Sequence, residues 1–234
     1  NKKTYFKTTL LLLNVTTKIK KIIHKEVFFL FFTNNYSFFC TVITLILMKK
    51  IAIFASGNGS NAENIIQYFK NSNLGRVNVI FSNKSDAKVL ERAENHQIPS
   101  VVFTKAQLNE GFVLRELSKF QPDLIVLAGF LLKFPESILK EYPKVINIHP
   151  ALLPNYGGKG MYGMHVHQAV LDNKEKETGI TIHYVNEHYD EGEFIFQKAV
   201  NVEDCKSPEE IAQKVHDLEH RYFPEIIEKL IPTI

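Results

Sequence analysis

The feature that most constrains the fold is an alternation of short apolar runs with amphipathic segments between Met48 and Pro150. The apolar runs, such as "KIAIFAS" and "PDLIVLAGF", are typical of strands buried on both faces. The segments between them, such as "SNAENIIQYFK", carry apolar residues at helical spacing, and one helix is expected from Leu108 to Phe120. This alternation predicts a doubly wound, mostly parallel sheet of the Rossmann-like type, with helices on both faces.

The chain after Pro150 follows a different pattern. The stretch "TGITIHYVNEHYDEGEFIFQKAVNV" predicts two longer strands joined by a polar loop, which we expect to pair antiparallel. A long C-terminal helix should follow, because Ser207 can cap it, Pro208 suits its first position and Glu210 stands three residues beyond the cap. Pro224 lacks an amide hydrogen and is therefore expected to break or kink this helix.

Residues 1–47 differ in composition from the rest of the chain. They hold seven lysines and one glutamate; since the whole chain carries a formal charge of +3, residues 48–234 carry −3. The latter show no basic stripe with interleaved aromatics, so nucleic-acid binding has little support. Val27–Leu47 contains no charged side chain, which is compatible with a membrane or targeting segment. Met48 begins "MKKIAIFASGNGSN", which is typical of a natural start. We therefore interpret residues 1–47 as upstream translation from an over-extended reading frame; the alternative is a membrane or targeting segment.

The two cysteines give little scope for covalent or metal chemistry. Cys40 and Cys205 cannot form a disulfide framework, and their spacing does not indicate a metal site. Their small number is compatible with a reducing compartment. We therefore expect a cytoplasmic protein that needs no metal.

The first polar motif, "ASGNGSNAENI", follows the first predicted strand. Gly57 and Gly59 allow a sharp turn into a helix whose first N–H groups face outward, and Ser60 and Asn61 add side-chain donors. This arrangement predicts a phosphate site. A loose match to G-x-G-x-x-A also allows a dinucleotide, although the first acid after the next strand, Asp86, is not at the strand tip. A plain tight turn is the remaining alternative.

The second motif, "VINIHPALLP", places Asn147 and His149 two residues apart at a strand end. Residues with this spacing point to the same side of a strand, here at the edge of the sheet where ligands bind in such folds. An amide and an imidazole together could hold a carbonyl oxygen that becomes an oxyanion. The alternative is a histidine satisfied by nearby backbone.

The third motif, "HYVNEHYDEGEFI", contains Asp190 with Gly192 close behind. A carboxylate placed against His149 would raise the pKa of that imidazole and favour its charged form. The alternative is an ordinary turn aspartate, which is common before glycine. The remaining histidines of this half of the chain are expected to be structural or peripheral: His165, His167, His183 and His188.

These stretches together resemble the phosphoribosylglycinamide formyltransferase family, which is folate-dependent and acts in purine biosynthesis. The resemblance covers roughly residues 48–231 and is carried by "SGNGSN", "FSNKSDAKVLERA", "PDLIVLAGFLLKF", "NIHPALLP", "GITIHYVNEHYDEG" and "LEHRYFPEII". The pattern "NIHPALLP" followed by G-x-T-x-H-x-V and D-x-G is characteristic of folate-dependent formyltransferases in general, and "GNGSN" distinguishes the glycinamide ribonucleotide enzymes from their tRNA-directed relatives.

The resemblance implies a Rossmann-like formyltransferase fold with antiparallel C-terminal strands. It implies transfer of a formyl group from 10-formyltetrahydrofolate to the amine of 5′-phosphoribosylglycinamide, giving formylglycinamide ribonucleotide and tetrahydrofolate. It also implies small-molecule substrates, no nucleic acid, no membrane contact for residues 48–234, and a monomer or homodimer.

The resemblance further implies a role for individual residues. The catalytic residues would be Asn147, His149 and Asp190. The ribonucleotide would be held by Gly59, Ser60, Asn61 and, at its glycinamide end, Glu219. The folate pocket would be lined by Leu131, Leu132, Lys133, Phe134, Asn147 and the loop 186–190.

The chain departs from the family pattern at three places. Many relatives have arginine where Leu132 stands, and an arginine on the folate side has only the displaced Arg115 as a counterpart. The segment Gly157–Met164 is longer than the corresponding bacterial link, and its position beside the expected site could reshape the site's mouth.

The same scaffold also suits other functions. A methionyl-tRNA formyltransferase or a formyltetrahydrofolate hydrolase is not expected, because each needs an additional domain. A non-catalytic dinucleotide-binding module and a membrane-tethered scaffold are the alternatives from other classes, the latter resting entirely on Val27–Leu47.

Overall fold

A seven-stranded mixed sheet organises residues 48–234, the part of the chain that the computed structural model describes. The strands are β1 Lys49–Phe54, β2 Gly75–Ser82, β3 Ser100–Val102, β4 Leu124–Leu127, β5 Val145–His149, β6 Glu177–Tyr184 and β7 Phe194–Asn201. The helices are α1 Ser60–Phe69, α2 Lys88–Asn95, α3 Lys105–Asn109, α4 Phe112–Phe120, α5 Glu136–Glu141, α6 Met164–Asp172 and α7 Pro208–Leu230. A short 3₁₀ turn, Ile231–Thr233, follows α7.

The strand order is β3-β2-β1-β4-β5-β6-β7. The strands from β3 to β5 pair in parallel, whereas β6 pairs antiparallel with both β5 and β7. The predicted doubly wound sheet with antiparallel C-terminal strands is therefore confirmed. The chain leaves β1 toward β2 on one side and reaches β4 on the other, so a ligand crevice is expected beyond the carboxyl ends of these strands.

The two faces of the sheet are covered by separate apolar clusters. In β1, Ile51 and Ile53 belong to the cluster beneath α1, α2, α6 and α7, whereas Ala52 and Phe54 belong to the cluster beneath α3, α4 and α5. All four side chains are fully buried. This alternation is what a strand buried on both faces requires.

The expected single helix from Leu108 to Phe120 is instead two helices. The first begins earlier because Thr104 and Gln107 form a reciprocal capping box: the Thr104 hydroxyl accepts from Gln107 N–H, and the Gln107 side chain accepts from Thr104 N–H. Gly111 separates the helices with φ of 82°, a left-handed conformation that suits glycine. Helix α6 was not anticipated, since it begins directly after a glycine-rich segment.

The expected break at Pro224 does not occur, because α7 continues through this residue to Leu230. Proline cannot donate to the carbonyl four residues before it, here that of His220. Asn64 Nδ2 donates to that carbonyl oxygen at 2.6 Å and satisfies the acceptor from a neighbouring helix. The expected start of α7 is confirmed, since the Ser207 side chain accepts from Glu210 N–H and Pro208 is the first helical residue.

Helices in the described range 48–234 fall short of what a membrane span needs in length or in apolar character. The apolar stretch Val27–Leu47, and with it the interpretation of residues 1–47, lies outside the described residues.

Candidate active site

Two strands bring together the polar side chains at the carboxyl end of β5. Asn147 and His149 both lie on β5, where Asn147 is half-buried and His149 is only 4 % exposed. The antiparallel register with β6 places Asn147 opposite His183 and His149 opposite Thr181. His183, which the sequence interpretation treated as peripheral, therefore lies beside the predicted pair and is buried as well.

Asp190 reaches this group from the loop between β6 and β7. Its Oδ2 lies 3.6 Å from His149 Nδ1, and its Oδ1 lies 3.7 Å from His183 Nε2. The structure thus places the three predicted catalytic side chains, Asn147, His149 and Asp190, around one point, with His183 as a fourth member. The convergence arises because β5 and β6 are neighbours and the following loop folds back over their ends.

His183 connects Asn147 to Asp190. Its Nδ1 lies 2.8 Å from the Tyr184 carbonyl oxygen and therefore carries the proton in the neutral ring. Its Nε2 is then an acceptor for Asn147 Nδ2, 3.2 Å away. This tautomer is inferred from the partners. It orients the Asn147 amide and leaves the second amide hydrogen available for a ligand.

In this cluster, burial and ion pairing shift the pKa values of His149 and Asp190 in opposite directions. Burial lowers the pKa of His149, and this outweighs Asp190, the Tyr156 carbonyl and Glu219, which all raise it. The expectation that Asp190 would leave His149 with a raised pKa is therefore wrong in net direction, although Asp190 does act in that sense. For Asp190, burial raises the pKa, but the neighbouring His183, the charge of His149 and the hydrogen bond from Gly158 N–H together outweigh it, so its pKa lies below the usual range.

Local backbone geometry holds Asp190 in place. Asp190 itself has φ of 58°, in the left-handed region that few non-glycine residues adopt. Two residues later, a Cβ on Gly192 would collide with the Tyr184 carbonyl oxygen, so only glycine fits. The Gly158 N–H donates to Asp190 Oδ2 at 2.9 Å. The inserted segment Gly157–Met164 is thereby in direct contact with the site.

The glycine turn after β1 packs tightly against α2. Gly59 has φ of 73°, and a Cβ at this position would collide with Val89. Arg92 donates from Nε to the Asn58 carbonyl at 2.8 Å and pairs with Glu63. No sequence motif singled out Arg92. These contacts fix the turn that opens α1, where the predicted phosphate-binding residues Gly59, Ser60 and Asn61 lie.

Glu219 on α7 is joined to this turn from 158 residues away. Its Oε2 accepts from Asn61 Nδ2 at 2.9 Å and lies 3.2 Å from His216 Nδ1. The bond to Glu219 raises the pKa of His216. The charge of Glu219 also acts on His149, so the predicted glycinamide-binding carboxylate is electrostatically connected to the predicted catalytic residues.

The segment after β4, residues 131–134, lies beside the glycine turn. Leu131 is 40 % exposed, whereas Phe134 is 3 % exposed and packs edge-on against Phe54, with ring centroids 5.1 Å apart. Phe134 therefore supports the segment from within the core, and its side chain does not face solvent. Leu131 N–H donates to Ser56 Oγ at 3.1 Å, which ties this segment to the glycine turn. Burial raises the pKa of Tyr189 in the 186–190 loop, and the Lys133 backbone acts against this rise.

Within residues 48–234, no three histidine, cysteine, aspartate or glutamate side chains are arranged to hold a metal ion. The carboxyl edge of the sheet thus offers an amide, an imidazole and a carboxylate around one point, a glycine turn at a helix start, and an exposed apolar wall.

Residues 49–227 match the sequence profile of the family described as "Formyl transferase". The chain belongs to the formyl transferase family. Among relatives of this formyl transferase, the Bacillus subtilis protein named phosphoribosylglycinamide formyltransferase is 38% identical over 192 residues, which cover 79% of this chain and 95% of that protein. The Arabidopsis thaliana chloroplastic protein of the same name is 40% identical over 187 residues, which cover 76% of this chain.

The chain spans 64% of the length of the Arabidopsis relative. A solved structure, that of phosphoribosylglycinamide formyltransferase from Bacillus halodurans, superposes with a TM-score of 0.71 at 36% identity and covers 78% of this chain and 95% of that one. The agreement in fold extends over the sheet and its helices.

The sequence interpretation of this formyl transferase missed His183 for an identifiable reason. The motif "GITIHYV" places a histidine on the strand that follows the catalytic one, but its role depends on antiparallel register. His183 lies opposite Asn147 only because β6 pairs with β5 in this register.

Proposed function

We propose that this protein transfers the formyl group of 10-formyltetrahydrofolate to the primary amine of 5′-phosphoribosylglycinamide, in de novo purine biosynthesis. The products are formylglycinamide ribonucleotide and tetrahydrofolate. The observation that carries the proposal is the convergence of Asn147, His149 and Asp190 at the end of β5. The names of the relatives that match most of this chain support the same reaction.

Formyl transfer requires stabilisation of a negative charge that develops on the formyl oxygen. The substrate amine attacks the formyl carbon, and that oxygen becomes an oxyanion in the tetrahedral intermediate. Asn147 offers an amide N–H and protonated His149 offers a ring N–H in a largely buried setting, where such hydrogen bonds are most effective. Collapse of the intermediate then breaks the bond to the folate nitrogen.

Proton transfer completes the reaction. The attacking nitrogen must lose a proton and the leaving nitrogen must gain one. Asp190, which is held ionised by its hydrogen-bond partners, favours the charged form of His149 and can move this proton through a bound water. Neither a metal nor a covalent intermediate is needed for this sequence of steps.

Substrate binding is assigned to the two walls of the crevice. Backbone N–H groups at Gly59, Ser60 and Asn61 would hold the phosphate at the start of α1. Glu219, already bonded to Asn61, would hold the glycinamide end. Leu131, Leu132 and Lys133, with Asn147 and the loop 186–190, would form the folate pocket, and Phe134 would support this segment from the core.

The test is an absorbance assay for tetrahydrofolate formation with the purified full chain. We expect turnover with 10-formyltetrahydrofolate and phosphoribosylglycinamide together, and none when the ribonucleotide is omitted. Equal rates without the ribonucleotide would indicate a hydrolase instead. Tight binding of NAD without any formyl transfer would favour the dinucleotide-binding alternative.

For the cellular context, we propose a cytoplasmic enzyme with small-molecule substrates, acting as a monomer or homodimer through residues 48–234. The mass of the mature protein tests the interpretation of residues 1–47, because a chain that begins before Met48 contradicts it. Fractionation of cell extracts tests the alternative of a membrane segment at Val27–Leu47.

A further inference from the structure

Tyr156 contacts the catalytic histidine through its backbone and a distant turn through its side chain. Its carbonyl oxygen accepts a hydrogen bond from His149 Nε2 at 2.7 Å. Its hydroxyl donates to Glu175 Oε1 at 2.7 Å and accepts from Asn173 Nδ2 at 2.8 Å. One residue therefore links the turn after α6 to the buried imidazole.

The backbone of Tyr156 adopts a conformation that needs support. Its φ is 57°, in the left-handed region, which costs a non-glycine residue about 1 kcal/mol and persists only where the surroundings hold it. The two hydroxyl contacts and packing of the ring against the larger apolar cluster supply that support. Gly158, two residues on, donates its N–H to Asp190. The segment 156–158 thus touches both His149 and Asp190.

We propose that Tyr156 is a positioning residue for formyl transfer: its anchored side chain fixes the peptide whose carbonyl orients the His149 imidazole. The inference rests on the proposed function, since it gives His149 the role of oxyanion donor. A carbonyl on Nε2 requires a proton on that nitrogen, and the formyl oxygen can approach the same hydrogen as a second acceptor in a three-centre bond.

Charged groups from several elements face His149. Asp190 from the β6–β7 loop and Glu219 from α7 favour its protonated form, as does the Tyr156 carbonyl. His183 from β6 disfavours that form, and His167 from α6 is close enough to respond to the charge of His149. Loosening Tyr156 weakens one of the three interactions that favour protonation, so the pKa of His149 should fall.

The test is Tyr156→Phe in the full chain, which keeps the ring and removes both hydroxyl contacts. If protonated His149 is the active form, a lower pKa reduces the rate only at pH values above it. We expect formyl transfer to fall about threefold at pH 8, which corresponds to a pKa lower by about one half, and to remain near wild type at pH values below the His149 pKa of the variant. An equal loss at pH 8 and below that pKa would show a structural role only and overturn the proposal.

Three further variants test whether the hydroxyl contacts of Tyr156 cause the pH-dependent loss. Glu175→Gln keeps an acceptor for the hydroxyl and should stay within about twofold of wild type, whereas Glu175→Ala should reproduce the pH-dependent loss with the phenol intact. Tyr142→Phe, at a partly buried tyrosine of the other apolar cluster, controls for the loss of a hydroxyl. A loss in Glu175→Gln as large as in Glu175→Ala would contradict the anchoring role.

A measurement that does not depend on catalytic turnover separates this inference from the proposed function. NMR of ¹⁵N-labelled histidine in the full chain reports the protonation of His149 directly. We expect a lower pKa in Tyr156→Phe than in wild type, and an unchanged pKa overturns the inference. If wild type transfers no formyl group, the proposed function fails while this comparison still decides the role of Tyr156.

Discussion

Two histidine–carboxylate pairs, one at the end of β5 and one on α7, have histidine pKa values shifted in opposite directions. His149 Nδ1 lies 3.6 Å from Asp190, and His216 Nδ1 lies 3.2 Å from Glu219. The pKa of His149 is lowered, with burial as the largest cause, whereas the pKa of His216 is raised, with the bond to Glu219 as the largest cause. The His149 side chain is 4% exposed and that of His216 is 34% exposed. Solvent access, and not pairing alone, decides the direction.

This difference suits two different tasks. The His216–Glu219 pair, whose imidazole is partly exposed, can hold a charged group of a substrate at a lower desolvation cost than a pair with a buried imidazole. A buried imidazole that is flanked by a carboxylate and a carbonyl becomes easier to protonate when negative charge develops beside it. The His149–Asp190 pair is therefore assigned to chemistry and the His216–Glu219 pair to binding.

The largest expected effect is at His149 and at Asn147, its neighbour on the same face of β5. His149→Ala or Asn147→Ala should each lower kcat about a hundredfold or more, because each removes one donor for the oxyanion. Steady-state kinetics with both substrates measure this, and KM for the ribonucleotide should change little. Near-normal turnover in either variant would remove these residues from the chemistry.

Asp190→Asn should have the next largest effect, about tenfold on kcat. Because Asp190 raises the pKa of His149, the variant should lower that pKa further, so the loss should be greater at pH 8 than at pH 5. A pH–rate profile measures this. If the profile keeps its shape, Asp190 has no role in the protonation of His149.

Glu219→Gln should affect binding more than turnover. We expect KM for the ribonucleotide to rise about tenfold with a smaller change in kcat, since a charge-assisted contact to the amine end is lost. The pKa of His216 should fall in the same variant, as NMR can measure. A fall in kcat without a change in KM would place Glu219 with the buried pair.

The parts of this fold that sequence predicts are those fixed by local pattern. Apolar runs located the strands, and the Ser207–Pro208 cap located the start of α7, because each depends on neighbouring residues. The continuation through Pro224 was not predictable, since the orphaned carbonyl of His220 is satisfied by Asn64 from 156 residues away.

The residues of the candidate site also fall into those that local sequence pattern predicts and those that depend on distant parts of the chain. Asn147 and His149 could be paired from spacing alone, because strand geometry sets their common face. His183 and Tyr156 could not be assigned, since their roles depend on strand register and on a left-handed backbone. The direction of the His149 pKa required knowledge of burial, which sequence pattern gives only coarsely.

The smallest expected effect concerns stability against pH. A histidine whose folded pKa lies below its unfolded value opposes folding once pH falls below the unfolded pKa, so His149 should destabilise the protein on acidification from about pH 7 to 5. His216, with a raised folded pKa, contributes stability that is fully present below the unfolded pKa and lost as pH rises through the folded one. Calorimetry of His149→Gln should therefore show a smaller fall in Tm over this range than wild type, by about 2–4 °C for about 1 kcal/mol. His216→Gln should instead show a larger fall, and identical slopes in both variants would mean that burial does not distinguish the two pairs.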